Sequence, residues 1–145
     1  MTDVVPSGQG HLLTARGNVM AFKAVAAQTG GDFSLMERTV PPGARTPPAH
    51  RHVNCSEAFF VLAGTVTFEL GGAELTGGAG DFLLVPRGTA HTFGNRGAEP
   101  ARLLVLHAPA MDAYFEELHR LWSSGEPPPR EAERELMSRY GMELT

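Results

Sequence analysis

Branched and aromatic residues recur in short runs along the first three quarters of the chain, each run closed by glycine or proline. The runs cover residues 19–27, 33–40, 58–63, 65–70, 82–85, 90–94 and 101–107. Gly30-Gly31, Pro41-Pro42-Gly43, Gly64, Gly71-Gly72, Gly77-Gly78 and Pro86-Arg87-Gly88 stand between them. Short strands at regular spacing with such turns predict an all-β sandwich or barrel. Gly71-Gly72 suits a two-residue hairpin turn that pairs 65–70 with 73–76. From Met111 the period changes. Met111, Tyr114, Phe115, Leu118, Leu121 and Trp122 recur at helical spacing, with Asp112, Glu116 and Glu117 early and His119 and Arg120 late, as a helix dipole prefers. Ser123-Ser124-Gly125 ends this helix and Pro127-Pro128-Pro129 forms a stiff connector. A second short helix follows over 130–140, with Ala132, Leu136 and Tyr140 on its apolar face and Gly141 as its cap. The pattern predicts a β domain over residues 1–109 and a helical extension over 110–145. The helices are expected to pack on the outside of the barrel or against a second subunit, in preference to forming a lid over a pocket.

Polar residues interrupt the strand pattern most pointedly at His50-Arg51-His52. Side chains at i and i+2 of a strand share a face, so two imidazoles are aimed together. Glu57 follows five residues later, and His91 stands after the turn Pro86-Arg87-Gly88. Together they form a three-His, one-Glu set that suits a divalent transition metal such as Fe, Mn, Ni, Co or Zn. Glu57 is also the expected catalytic base, and orienting an imidazole from behind the metal is its alternative role. If Arg102 faces solvent, alternation sends Leu103, Val105 and His107 inward, where His107 would reach the pocket as a proton carrier or substrate contact. His11 reads as an ordinary surface histidine. Phe93 shares parity with His91, and with Phe59, Val61, Phe68, Phe82 and Leu84 it would give the pocket an apolar, aromatic wall. Arg45, Arg51, Arg87 and Arg96 read as solvated surface.

Composition narrows the partners. A chain of 145 residues suffices for one core. Its net charge of -4 and scattered arginines leave no basic stripe for nucleic acid. No apolar stretch approaches a membrane span and no leader-like run opens the chain, so a cytoplasmic protein is expected. The single cysteine, Cys55, excludes an intramolecular disulfide and reads as a small side chain in a turn.

The residues around the histidines resemble the cupin superfamily. The first cupin motif is met by Gly43, His50, His52, Glu57 and Gly64, with one departure: six residues separate Gly43 from His50 where five are usual, and Pro47-Pro48 lie among them, as in a lengthened turn. The second motif is met without gaps by Gly80, Pro86, Gly88, His91 and Asn95. Asn95 is expected to support its turn through hydrogen bonds to the backbone. The tail is more loosely similar to single-domain cupins grouped with bacterial quercetin dioxygenases. The resemblance implies a jelly-roll barrel with metal at the narrow part of the pocket and a quercetinase-like dioxygenase acting on an aromatic or enolic small molecule. Its alternatives are a non-oxidative cyclase, isomerase or lyase, and a binding protein without catalysis. It also implies a homodimer made by exchanging an N-terminal strand, for which 19–27 would serve as an unpaired edge.

Overall fold

The glycine and proline punctuation divides the chain into antiparallel strands of three to eight residues, which a computed structural model describes over residues 3–145. In chain order they are β1 (His11–Ala15), β2 (Asn18–Ala24), β3 (Ser34–Val40), β4 (His50–His52), β5 (Ser56–Ala63), β6 (Thr65–Leu70), β7 (Ala73–Gly78), β8 (Phe82–Val85), β9 (His91–Gly94), β10 (Ala101–Ala108) and β11 (Met142–Leu144). The helices are α1 (Ala26–Thr29), α2 (Asp112–Leu121) and α3 (Arg130–Arg139). One sheet runs β1-β2-β3-β10-β5-β8 and the other β11-β4-β9-β6-β7. They form a jelly-roll β-sandwich. Alternation fills the space between them: Met36 and Val40 of β3, Phe59 and Val61 of β5, Leu103 and Val105 of β10 face Val66, Phe68 and Phe93, all nearly inaccessible to water. None of the described helices is long and apolar enough to cross a membrane.

Three features depart from the sequence pattern. The predicted strand over 19–27 stops at Ala24 and turns into α1. Its strand, β2, is paired on both sides within the chain, by β1 and β3, so it is not the unpaired edge on which strand exchange was expected; β1 and β8 are the edges of that sheet. The third departure is β11, which pairs antiparallel with β4 and makes the end of the described chain part of the sheet that carries His50 and His52.

Two outward-facing residues correct the expected pocket. The β5–β8 register sets Phe60 opposite Phe82 and Ala58 opposite Leu84. Phe82 and Leu84 therefore take the outer parity of β8, where they are 63% and 52% exposed, while Val85 points into the core. The run 82–85 is apolar throughout, so alternation alone did not reveal its register.

Glu37 shows how the first sheet is tied down. Its buried carboxylate accepts two hydrogen bonds of 3.1 Å from the Gly8 amide and lies 3.4 Å from Lys23 Nζ and 3.3 Å from Arg102 Nη2. Burial raises its pKa, but the Gly8 amide, Lys23 and Arg102 outweigh burial and hold it below the usual carboxylate range. A folded-state pKa below the unfolded one stabilises above the unfolded value, and that stability is lost as pH falls through the folded value. Glu37→Gln is therefore expected to cost about 1–2 kcal/mol at pH 7, a penalty that shrinks on acidification below about pH 4. Urea unfolding of both proteins at the two pH values checks it; an equal penalty at both would contradict the assignment.

Candidate metal centre

Strand alternation puts His50 and His52 on the inner face of β4 with Arg51 outside. β9 brings His91 directly opposite His50 in the ladder. β5, in the facing sheet, supplies Glu57. One ligand atom from each of His50, His52, Glu57 and His91 lies within 4.8 Å of the other three, and all four residues are buried. The imidazoles are crowded: ring centroids are 4.5 Å apart for His50 and His91, 5.0 Å for His50 and His52, and 5.4 Å for His52 and His91.

The backbone sets the ring orientations. His50 Nδ1–H donates to the Pro48 carbonyl at 2.7 Å and His91 Nδ1–H to the Thr89 carbonyl at 3.0 Å. A carbonyl only accepts, so both rings carry the proton on Nδ1 and turn Nε2 to the centre. The lengthened Gly43–His50 spacing takes part in this arrangement. Pro48 holds His50, the Pro47 carbonyl accepts from Thr92 Oγ1 at 2.6 Å, and the Gly43 amide donates to the Asn95 carbonyl. Asn95 supports its turn through backbone bonds to Val40, Glu99 and Gly97. The positive φ of Gly88 lets the Pro86 turn fold back so that its amide donates to the His52 carbonyl at 2.8 Å.

Glu57 is the hub. Its Oε1 bonds His91 Nε2 at 2.7 Å, and its Oε2 makes a short contact with His107 Nε2 and lies 3.7 Å from His52 Nε2. Burial would raise the carboxyl, but His107 beside it, the hydrogen bonds from His107 and His91, and the nearby His52 ring hold it well below the ordinary range. Burial lowers His91, but the Glu57 carboxylate more than reverses that and raises it. Burial, joined by nearby His91, depresses His50 to about 3, so it stays a neutral donor. Burial pushes the Cys55 thiol up to about 11, and the thiol donates to backbone carbonyls, which accords with a structural role.

His52 gives the test of fit for a metal. Both its ring nitrogens are buried and neither has a hydrogen-bond partner. A buried polar atom without a partner is costly, and here the unpartnered imidazole faces two imidazoles and a carboxylate. That donor set fits a divalent transition ion. His50, His52 and His91 would hold it through nitrogen and Glu57 through oxygen.

The surrounding pocket is narrow, about 20 Å³, and more polar than the sequence pattern implied. Phe93 and His107 line it. Phe59 is buried behind His91, with 6.5 Å between ring centroids. Val61 and Phe68 border a different groove of about 240 Å³, with Phe82 on its rim. The wall also includes two arginines, Arg16 and Arg38, that the sequence reading passed over. Arg38 had a signal: it shares parity with Met36 and Val40 on β3, and a charged residue at an inward position marks a site. Arg16 reaches the pocket from the Arg16-Gly17 hairpin turn, where its φ of 54° is costly for a side chain bearing Cβ.

The C-terminal helices close this pocket. Tyr114 and Phe115 of α2, Met137 of α3 and Met142 of β11 line it. The apolar stripe of the helices thus lines this pocket, with Leu118 and Met137 fully buried. Arg16 bonds Glu133 of α3, its Nε donating at 2.9 Å, and ties the β1–β2 turn to this roof.

The family described as the cupin domain matches residues 36–107, the stretch from β3 to β10 that carries all four prospective ligands and His107. The chain belongs to the cupin superfamily. Quercetin 2,3-dioxygenase of Bacillus subtilis (strain 168) is 32% identical to this cupin over 90 residues, covering 62% of this chain but only 26% of that relative. A putative sugar phosphate isomerase from Acidithiobacillus ferrooxidans ATCC 23270 superimposes with a TM-score of 0.54 at 26% identity, covering 62% of this chain and 59% of that one. KdgF from Halomonas sp. superimposes with a TM-score of 0.67 at 18% identity over 78% of this chain and 98% of that one, a likeness of fold. The part of this cupin outside the family match supplies Arg16, Tyr114, Phe115, Met137 and Met142 of the pocket.

Proposed function

We propose that this cupin is a metal-dependent dioxygenase acting on a compact enolic or phenolic substrate. The observation that carries the reading is the Glu57 carboxylate, shared between His91 and His107 at the centre; the dioxygenase relative adds to it. A divalent metal bound there would act as a Lewis acid, lowering the pKa of a coordinated hydroxyl. Glu57 accepts the hydroxyl proton, and His107, at its other oxygen, stabilises the resulting carboxyl or passes the proton on. Phe93 and the Tyr114–Phe115 edge of α2 exclude water. A cavity of about 20 Å³ is far below the 300–1,000 Å³ usual for ligand sites. Any substrate larger than about one water molecule therefore requires the α2–α3 roof to move.

A second reading, non-oxidative enolisation by an isomerase or lyase, is favoured by the ionisable side chains Arg16, Arg38 and His107 in the wall. The same Glu57–His107 pair would shift a proton without oxygen. An oxygen electrode separates the two. Protein reconstituted in turn with Fe, Mn, Ni, Co and Zn is expected to consume oxygen with a member of a panel of catechols, flavonols and enolisable keto acids. Turnover of a panel member under strict anaerobiosis, with no oxygen uptake for any metal, would replace the first reading with the second.

A further inference from the structure

We propose that Arg38 is the anion-binding residue of the metal pocket, and that the substrate is a compact carboxylate whose carboxyl group lies on Arg38 while its enol or carbonyl oxygen faces the histidines. The substrate class deepens the metal-dependent reading and rests on it.

The argument begins with cost. Arg38 projects inward from the middle of β3 and is only 3% exposed. A buried guanidinium persists where its charge and donors are met. Its Nε donates to Asn18 Oδ1 at 2.9 Å, but Nη2 is buried without any acceptor. Among the described residues no carboxylate lies within ion-pair distance of it. Arg16, the other arginine of the wall, is paired with Glu133. Arg38 is thus the pocket cation without an anion. Burial, with Arg16 nearby, lowers it to about 9, as expected of a cation short of counter-charge.

Geometry fixes how Arg38 presents its donors. Arg38 stacks on the Phe93 ring, with its central carbon 5.0 Å from the centroid, which fixes the guanidinium plane. Asn18 holds one edge of that plane and is itself anchored, its Nδ2 donating to the Arg16 carbonyl at 3.0 Å. The remaining edge offers parallel N–H donors in the fork that matches a carboxylate. His50, His52, Glu57 and His107 border the same cavity, so a compact molecule admitted by movement of the α2–α3 roof would reach both the arginine and the centre. Glu57 is already engaged with His91 and His107. A carboxylate on the ligand would supply the acceptor that Arg38 Nη2 lacks among the described residues.

The test uses malonate as a carboxylate probe and imidazole as a neutral ligand for the metal. Cobalt(II)-loaded wild type, Arg38→Met and Arg38→Lys are titrated with each, followed by the cobalt visible spectrum and by calorimetry, after circular dichroism has verified folding. Malonate affinity is expected to fall about 10- to 100-fold in Arg38→Met and less in Arg38→Lys, the size of a lost charge-assisted bond. Imidazole affinity should stay within about twofold, since it reads the metal alone. If Arg38→Met does not fold, Arg38→Lys carries the comparison. Equal malonate affinity in wild type and the folded variant, with imidazole binding intact, overturns the arginine assignment. Wild type that takes up no cobalt overturns the metal reading instead, and malonate thermal shifts of metal-free protein then decide on Arg38: a shift lost in the variant upholds it, and a shift retained, or absent from wild type, overturns it.

Discussion

His52→Ala protein is expected to emerge from chelator-free purification with less than about a tenth of the transition metal that wild type carries near one equivalent, a loss of affinity of at least about 100-fold. Even partners one step behind a ligand are worth 10- to 100-fold in affinity, and His52 stands in the ligand set itself. The variant separates a functional role from a structural one. Neither nitrogen of His52 bonds to the protein, so its removal breaks no hydrogen bond, and the fold should survive by circular dichroism. Elemental analysis of both proteins reads the result. Equal metal in the two would refute the ligand set, and a variant that unfolds would mean that His52 serves packing.

Truncation after Tyr140 has the second large effect expected. β4 is three residues long and carries two of the four prospective ligands, yet β9 meets it only at the His50–His91 pair. β11 pairs all three of its residues: Met142 with His52, Glu143 with Arg51 and Leu144 with His50. The truncation removes that ladder and the buried Met142, together about 3–5 kcal/mol. It also frees the His50–His52 strand on one side, so metal affinity and thermal stability should fall together. Met142→Lys tests the same contact in the full chain. Wild-type metal uptake by a folded truncated protein would show that β4 keeps its place without β11.

The parts of this architecture that were legible in the sequence are those with a local signature. His-x-His alternation, the Gly and Pro spacings and the helical stripe from Met111 to Trp122 each encode geometry within a few residues, and the sandwich and the clustering of the four ligand residues follow from them. Register within all-apolar runs does not have such a signature, which is why Phe82 and Leu84 were placed inward while Val85 was passed over. β11 was hidden for a different reason. Three residues at 142–144 carry too little pattern to mark a strand, and only tertiary pairing with β4 makes them one. The surface beneath α2 and α3 was not legible, because an amphipathic stripe says that a helix covers something and not what it covers. Arg38 could have been found, since a lone cation on the Met36–Val40 face contradicts the pattern around it.

The pairing of β11 with β4 also sets a timetable for synthesis. His50, His52, Glu57 and His91 have all been translated about 50 residues before Leu144, a lag of roughly 3–10 s at 5–20 residues per second. Through that interval the strand bearing His50 and His52 still lacks its β11 neighbour on one side. A divalent ion held by the prospective ligands would exchange more freely until residues 142–144 dock on β4. The pairing of β11 would therefore govern how tightly such an ion is retained as well as where its ligands stand.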